Sequence, residues 1–215
     1  MTPRFGLVLG LIALLAVSAA RAASPLDDLI ARKPGNSACF TRVYDADHLR
    51  KNPKQTTTSM AVWLAYDKAS GDPPLLTAPD LGIAIARRGD AAPLFAQGGC
   101  IWNESVNLDT SDRRMIKEFR KDAGVGCMML ARPDVFDVSS AEEGGYLILD
   151  PGRDGQTVTV YLQYYLVMVK QADRAKQLYT TFGADDRVFL LHRAAAKECD
   201  FVVRALTRRE PGQNR

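Results

Sequence analysis

The sequence predicts a mainly β fold: an antiparallel sandwich or flattened barrel with one or two short helices, in a pattern that also admits two related halves. Three observations carry this reading. The apolar run 145–169 has the shape of a β-hairpin. Segments such as 60–66 and 81–86 alternate with a period of two, as half-buried strands do. Four cysteines, an even number, follow a leader that resembles an export signal.

The hairpin comes first. Tyr146, Leu147, Ile148 and Leu149 form one apolar run, and residues 157–162 form a second that is rich in β-branched and aromatic side chains. Between them Asp150, Pro151, Gly152, Arg153, Asp154 and Gly155 supply a preset φ, tolerance of positive φ and an Asp-Gly pair. Val158, Val160 and Leu162 share one strand face; Thr157, Thr159 and Tyr161 share the other. The continuation 164–169 stays apolar without clean alternation, which leaves a helix open there.

At the N-terminus, Arg4, the apolar run 5–17 and the small residues flanking Arg21 make residues 1–22 a cleavable signal peptide. The apolar run falls short of the roughly 20 residues that span a bilayer. The expected organisation is then residues 1–22 as leader, residues 23–206 as a single disulfide-stapled β domain, and residues 207–215 as a polar basic tail. Within the domain, 38–108 and 124–206 are the candidate halves. The whole chain of 215 residues has a formal net charge of +3. The leader removes Arg4 and Arg21, so the mature chain is close to neutral. That balance argues against nucleic acid or an anionic membrane as the main partner, and no stable membrane span is expected after cleavage.

Along the chain, Pro25 suits the first position of a short helix over 26–31. Residues 39–44 read as a strand, the polar stretch 45–58 as a loop, and 60–66 as a strand with Met60, Val62, Leu64 and Tyr66 on one face. Residues 70–74 break it. In 81–86 the bulky Leu81, Ile83 and Ile85 oppose Gly82, Ala84 and Ala86, a small face suited to a close neighbour. Arg88, Gly89 and Asp90 form a turn, and a strand at 94–97 should end at Gly98-Gly99. Residues 109–122, with Met115, Ile116 and Phe119 as a stripe, are the best helix. A strand at 125–131 follows. Beyond the hairpin, 173–176 suggests a helical turn, 178–182 and 187–192 a second hairpin around 183–186, and 201–206 a short strand or helix.

The halves each open on a cysteine and close on one: Cys39 to Cys100, and Cys127 to Cys199. The spans are similar. This pattern favours bridges Cys39–Cys100 and Cys127–Cys199, each worth about 4 kcal/mol of unfolded-state entropy.

The chemistry is sparse. His48 and His192 are isolated, so no zinc or copper cluster is expected; His192 reads as a hydrogen-bonded strand histidine. No Gly-x-Ser-x-Gly occurs to mark Ser105, Ser111, Ser139 or Ser140 as a nucleophile. Asp134, Asp137, Glu142 and Glu143 could serve a glycosidase, although neighbouring carboxylates on a strand face opposite ways. Asp150 and Asp154 do not match an EF-hand loop, and no phosphate loop or dinucleotide fingerprint appears. Arg88-Gly89-Asp90 is also an adhesion tripeptide, but its composition is what a hairpin tip requires. Among the aromatics Trp63, Trp102, Tyr161, Tyr164 and Tyr165, core packing accounts for Trp63, while Trp102, Tyr161 and Tyr164 are candidate ligand contacts. The expectation is a periplasmic or secreted, non-catalytic binding or interaction module for a protein or glycan, with no cofactor. A small envelope-polymer hydrolase using Asp134, Asp137 or Glu143, and a structural envelope component, are the alternatives.

Overall fold

The computed structural model describes residues 25–66, 79–103, 124–130 and 144–207. Residues 1–22, expected to be a leader, the segments 70–74 and 109–122, Asp134, Asp137, Glu142, Glu143, Ser105, Ser111, Ser139, Ser140 and the tail from residue 208 lie outside the described residues, as does the side chain of Trp102. The elements are α1 (Pro25–Leu29), β1 (Ser37–Val43), α2 (Ala46–Lys51), β2 (Thr57–Ala65), β3 (Asp80–Arg87), β4 (Leu94–Asn103), β5 (Gly124–Met129), β6 (Gly145–Pro151), β7 (Thr157–Lys170), β8 (Asp173–Thr181), β9 (Val188–Ala194) and α3 (Asp200–Thr207).

The fold is mainly β, as expected, and of the two closures anticipated it takes the barrel. Eight strands close in the order β1, β2, β3, β4, β5, β6, β7, β9 and back to β1, every neighbouring pair antiparallel. A ring of this size is just wide enough to be filled by its own side chains. The inward positions are the ones that alternation singles out. Met60, Val62, Leu64 and Tyr66 face Leu81, Ile83 and Ile85, and Val158, Val160 and Leu162 face Leu147 and Leu149, all at 2 % exposure or less. The core is therefore packed apolar matter.

The short helix α1 inserts Leu26 and Leu29 into this core. Arg193 holds it there. Its guanidinium lies 4.7 Å above the Phe40 ring and donates to the carbonyls of Leu29 (2.8 Å), Gly155 (2.8 Å) and Asp28 (3.2 Å). An arginine fork here satisfies the open carbonyls that a helix end leaves behind.

The outer wall carries α3. The small face of β3 is where the helix lands: Gly82 and Ala84, beside Ala61, lie under Val202, Ala205 and Leu206. A Cβ on Gly82 would stand 2.7 Å from Leu206 Cδ1 and 3.0 Å from Val202 Cγ1. The close approach expected at this face is thus made by helix side chains. Trp63 packs half-buried in the same outer cluster, outside the central core.

Several expectations are corrected. Residues 45–58 do not form a continuous loop: α2 occupies Ala46–Lys51, capped by Asp45, whose carboxylate accepts from His48 N at 2.7 Å. The helix has no buried residue, so it lacks the apolar stripe by which helices are recognised. Gly98-Gly99 does not end a strand, because β4 runs through to Asn103. Gly98 is needed since a Cβ there would collide with the backbone carbonyl of Met128 on β5. Residues 164–169 continue as strand. Residues 173–176 belong to β8, not a helical turn. Finally, 178–182 and 187–192 are not a hairpin. Both β8 and β9 pair antiparallel with β7, β8 along Tyr165–Lys170 and β9 along Thr157–Tyr161. They run in the same direction, end to end, along one edge of β7. The intervening turn at Ala184–Asp186 is a detour in a single returning path.

All four cysteines are oxidised, but in the other pairing: Cys39–Cys199 and Cys100–Cys127. Cys100 and Cys127 face each other across β4 and β5, with Cα atoms 4.0 Å apart, inside the barrel. Cys39 points outward from β1, where the chain leaving β9 brings Cys199 over it at the start of α3. Similar spacing misled because the closure of β9 onto β1 brings the first and last strands together.

Candidate functional site: an aromatic ledge beside a free strand edge

Sequence order places β7 between two kinds of neighbour. Its first half is flanked by β6 and β9 within the ring. Its second half meets β4 only at Leu94 and Phe95, while β8 covers the other edge. Strand β8 pairs with nothing else, so it is the free edge among the described strands.

The alternation of backbone groups follows from two bonds. Phe182 N donates to Tyr164 O at 2.9 Å, and Val167 N donates to Gly144 O on the opposite side. Even-numbered residues of β7 therefore address β8, through Leu166↔Thr180 and Met168↔Leu178. Tyr179 and Thr181 then turn their N–H and C=O groups away from β7, towards solvent.

At this edge stand three tyrosines. Between Leu162 and Leu166 the register with β6 shifts, so that residues 163–165 oppose Tyr146 alone. This bulge pushes Tyr164 out to 60 % exposure. Tyr165 lies beside it, with ring centroids 5.5 Å apart. Tyr179, 69 % exposed, lies 6.3 Å from Tyr165. Pairing explains the second contact: Val167↔Tyr179 and Tyr165↔Thr181 make Tyr165 and Tyr179 diagonal neighbours on one face. Towards the β7–β8 turn, at the other end of β8, Lys170, Asp173 and Lys176 are exposed. Arg174 is half-buried, and its Nη2 donates to Leu206 O at 2.6 Å, tying the edge to the last turn of α3.

Of the three aromatic residues expected to meet a ligand, Tyr164 stands on this ledge. Tyr161 does not: at 9 % exposure it packs with Ile148 and Tyr146 on the outer wall. It belongs to a transverse row in which Gly126, Ile148, Tyr161 and Val188 are successive cross-strand partners. Val188 and Leu190 remain 42 % and 48 % exposed there. Trp102 lies on β4. Tyr179 was overlooked although period-2 alternation in 178–182 sets it opposite Leu178 and Thr180.

The other singled-out residues have structural partners. Arg88 caps α2, its Nη2 donating to Leu49 O (2.6 Å) and Asn52 O (3.2 Å), so the Arg-Gly-Asp turn is engaged at its arginine. Gly89 takes φ 84° in that turn. His192 Nε2 lies 3.2 Å from Arg42 Nη1, and His48 Nε2 3.0 Å from Gln55 Oε1. Asp186, 2 % exposed, accepts from Thr56 N, Thr56 Oγ1 and Thr57 N, each at 2.8 Å. Burial alone would raise its pKa, but these donors outweigh it and hold the carboxyl below its ordinary range. Asp154 accepts from Gln156 N at 2.9 Å, a turn contact. Among the described residues no group of three His, Cys, Asp or Glu is placed to hold a metal ion. No helix among them is long and apolar enough to cross a membrane.

No protein-family profile, curated protein or solved structure matches this chain. The two disulfides suggest an oxidising environment outside the cytosol. The site combines hydrogen-bonding backbone, exposed aromatic area and basic groups at the turn end of the same strand edge.

Proposed function

We propose that this chain is an exported, non-catalytic protein-interaction module, working in the periplasm or outside the cell, with its binding face on the Tyr164–Tyr165–Tyr179 ledge. One observation carries the reading. Exposed Tyr164 and Tyr179 cluster with half-buried Tyr165 beside the edge that is free among the described strands, on a barrel whose interior is filled by its own side chains. Large amphipathic rings that are left in water offer contact area at low entropic cost, as binding faces do. The leader at residues 1–22 and the paired thiols support export. The hydrolase alternative depends on Asp134, Asp137 and Glu143, which lie outside the described residues.

The test places a photo-crosslinking amino acid at Tyr164 or Tyr179, and as a control at Asn52 beside α2, in cells exporting the protein. Crosslinks to one recurring species from the ledge positions, absent from the control, are expected. Equal labelling at all three positions would overturn the reading. A fusion of residues 1–22 to a reporter active only outside the cytosol should score as exported.

A further inference from the structure

We infer that β8 is a docking edge for an extended acidic segment of another protein, which adds to the sheet as a further strand beside Tyr179. The inference rests on the interaction reading above and names the partner's chemistry. Two independent features agree. The first is backbone: Tyr179 and Thr181 direct N–H and C=O groups outward from a strand that has no second neighbour among the described strands. An extended peptide satisfies such groups by main-chain bonds, as sheet-edge recognition does elsewhere. The tyrosine face then supplies area for every second side chain of the incoming strand.

The second feature is charge. Along β8 and its turn, Lys170, Arg174 and Lys176 stand against Asp173, and neither lysine forms an ion pair among the described residues. A basic edge selects an acidic strand and repels a basic one. It also argues against a second copy. Antiparallel self-pairing about Gln177 would set Lys176 of each copy diagonally beside Lys176 of the other, and pairing about Ala175 would set Arg174 opposite Lys176.

The experiment titrates oxidised mature protein against short labelled peptides with blocked ends, alternating Glu and Val or alternating Lys and Val, read by fluorescence anisotropy. The acidic peptide should bind at least on the order of tenfold more tightly than the basic one, and less tightly as salt is raised. N-methylation of alternate amides along one edge of the acidic peptide should abolish binding. Tyr179→Pro removes one outward N–H and one ring, and should cost at least about tenfold, whereas Tyr179→Thr, which keeps the N–H, should cost less. Should the proline variant fail to fold, Lys176→Glu serves instead, narrowing or reversing the preference between the two peptides. Equal binding of both peptides, or undiminished binding of the N-methylated one, would overturn the inference. Dimerisation that Tyr179→Pro abolishes would overturn it in favour of a second copy. Failure of both peptides to bind, with ledge crosslinks still formed in cells, defeats this inference and leaves the interaction reading standing. Loss of both defeats both.

Discussion

Asp186 shows how much one side chain can hold. Its carboxylate is buried, yet it accepts three hydrogen bonds from Thr56 and Thr57 at the entrance to β2, about 130 residues away in sequence. It thereby fixes the detour between β8 and β9 against the barrel wall. Charged acceptors of this kind contribute about 1.5–3 kcal/mol per bond when intact. Asp186→Asn turns an amide N–H₂ towards groups that are themselves donors, and should destabilise the protein by about 2–4 kcal/mol at pH 7, read by urea unfolding. The pH dependence has a fixed sign. The folded-state pKa lies below the unfolded one, so the contribution is complete above the unfolded value, near pH 4, and is lost as pH falls through the folded value. The gap between wild type and Asp186→Asn should therefore narrow below about pH 4. A gap that widens on acidification would refute the assignment.

At the scale of elements, the outer face of β3 and the helix above it fit each other. Gly82 leaves room for Leu206 and Val202, and α3 lays its apolar face on Ala61, Ala84 and Phe95. Gly82→Val should lift the helix and cost about 1–3 kcal/mol, seen as protease cleavage within Asp200–Thr207 before global unfolding. Gly98→Ala should be worse. The obstacle there is the Met128 carbonyl, a backbone atom of the paired strand that cannot rotate aside. Thermal melting should rank the two variants in that order. Alternation revealed β2, β3 and β7 because each turns one row of bulky side chains into the core, with β6 legible as an apolar run. It missed α2, which buries nothing, and the unity of β8 with β9, whose shared edge is defined by β7 rather than by their own residues.

For the whole molecule, the bridges act on very different lengths of chain. Cys39–Cys199 spans 160 residues and Cys100–Cys127 spans 27. On the chain-entropy model their loss removes about 5 and about 3.5 kcal/mol respectively. Replacing Cys39 and Cys199 with serine should thus lower the urea midpoint more than replacing Cys100 and Cys127. Non-reducing peptide mapping should recover Cys39 joined to Cys199; recovery of Cys39 joined to Cys100 would break the topology described here. Closure of the ring by β9 against β1 is the event that brings Cys199 to Cys39, and so the two readings fail together.

What this chain's residues determine by themselves is local: where strands run, which side chains turn inward, where turns must fall, and that paired thiols are available. Period-2 patterning encodes burial strand by strand, and positive-φ glycines such as Gly89 and Gly155 encode turns. What only the tertiary structure decided is adjacency at long range. The partner of each cysteine, the side of β7 left to β8, and the meeting of Tyr164, Tyr165 and Tyr179 depend on ring closure and on a bulge opposite Tyr146. Alternation specifies which way a side chain points and carries no label for the strand that lies beside it. That is why the barrel strands could be read in advance and the ledge could not.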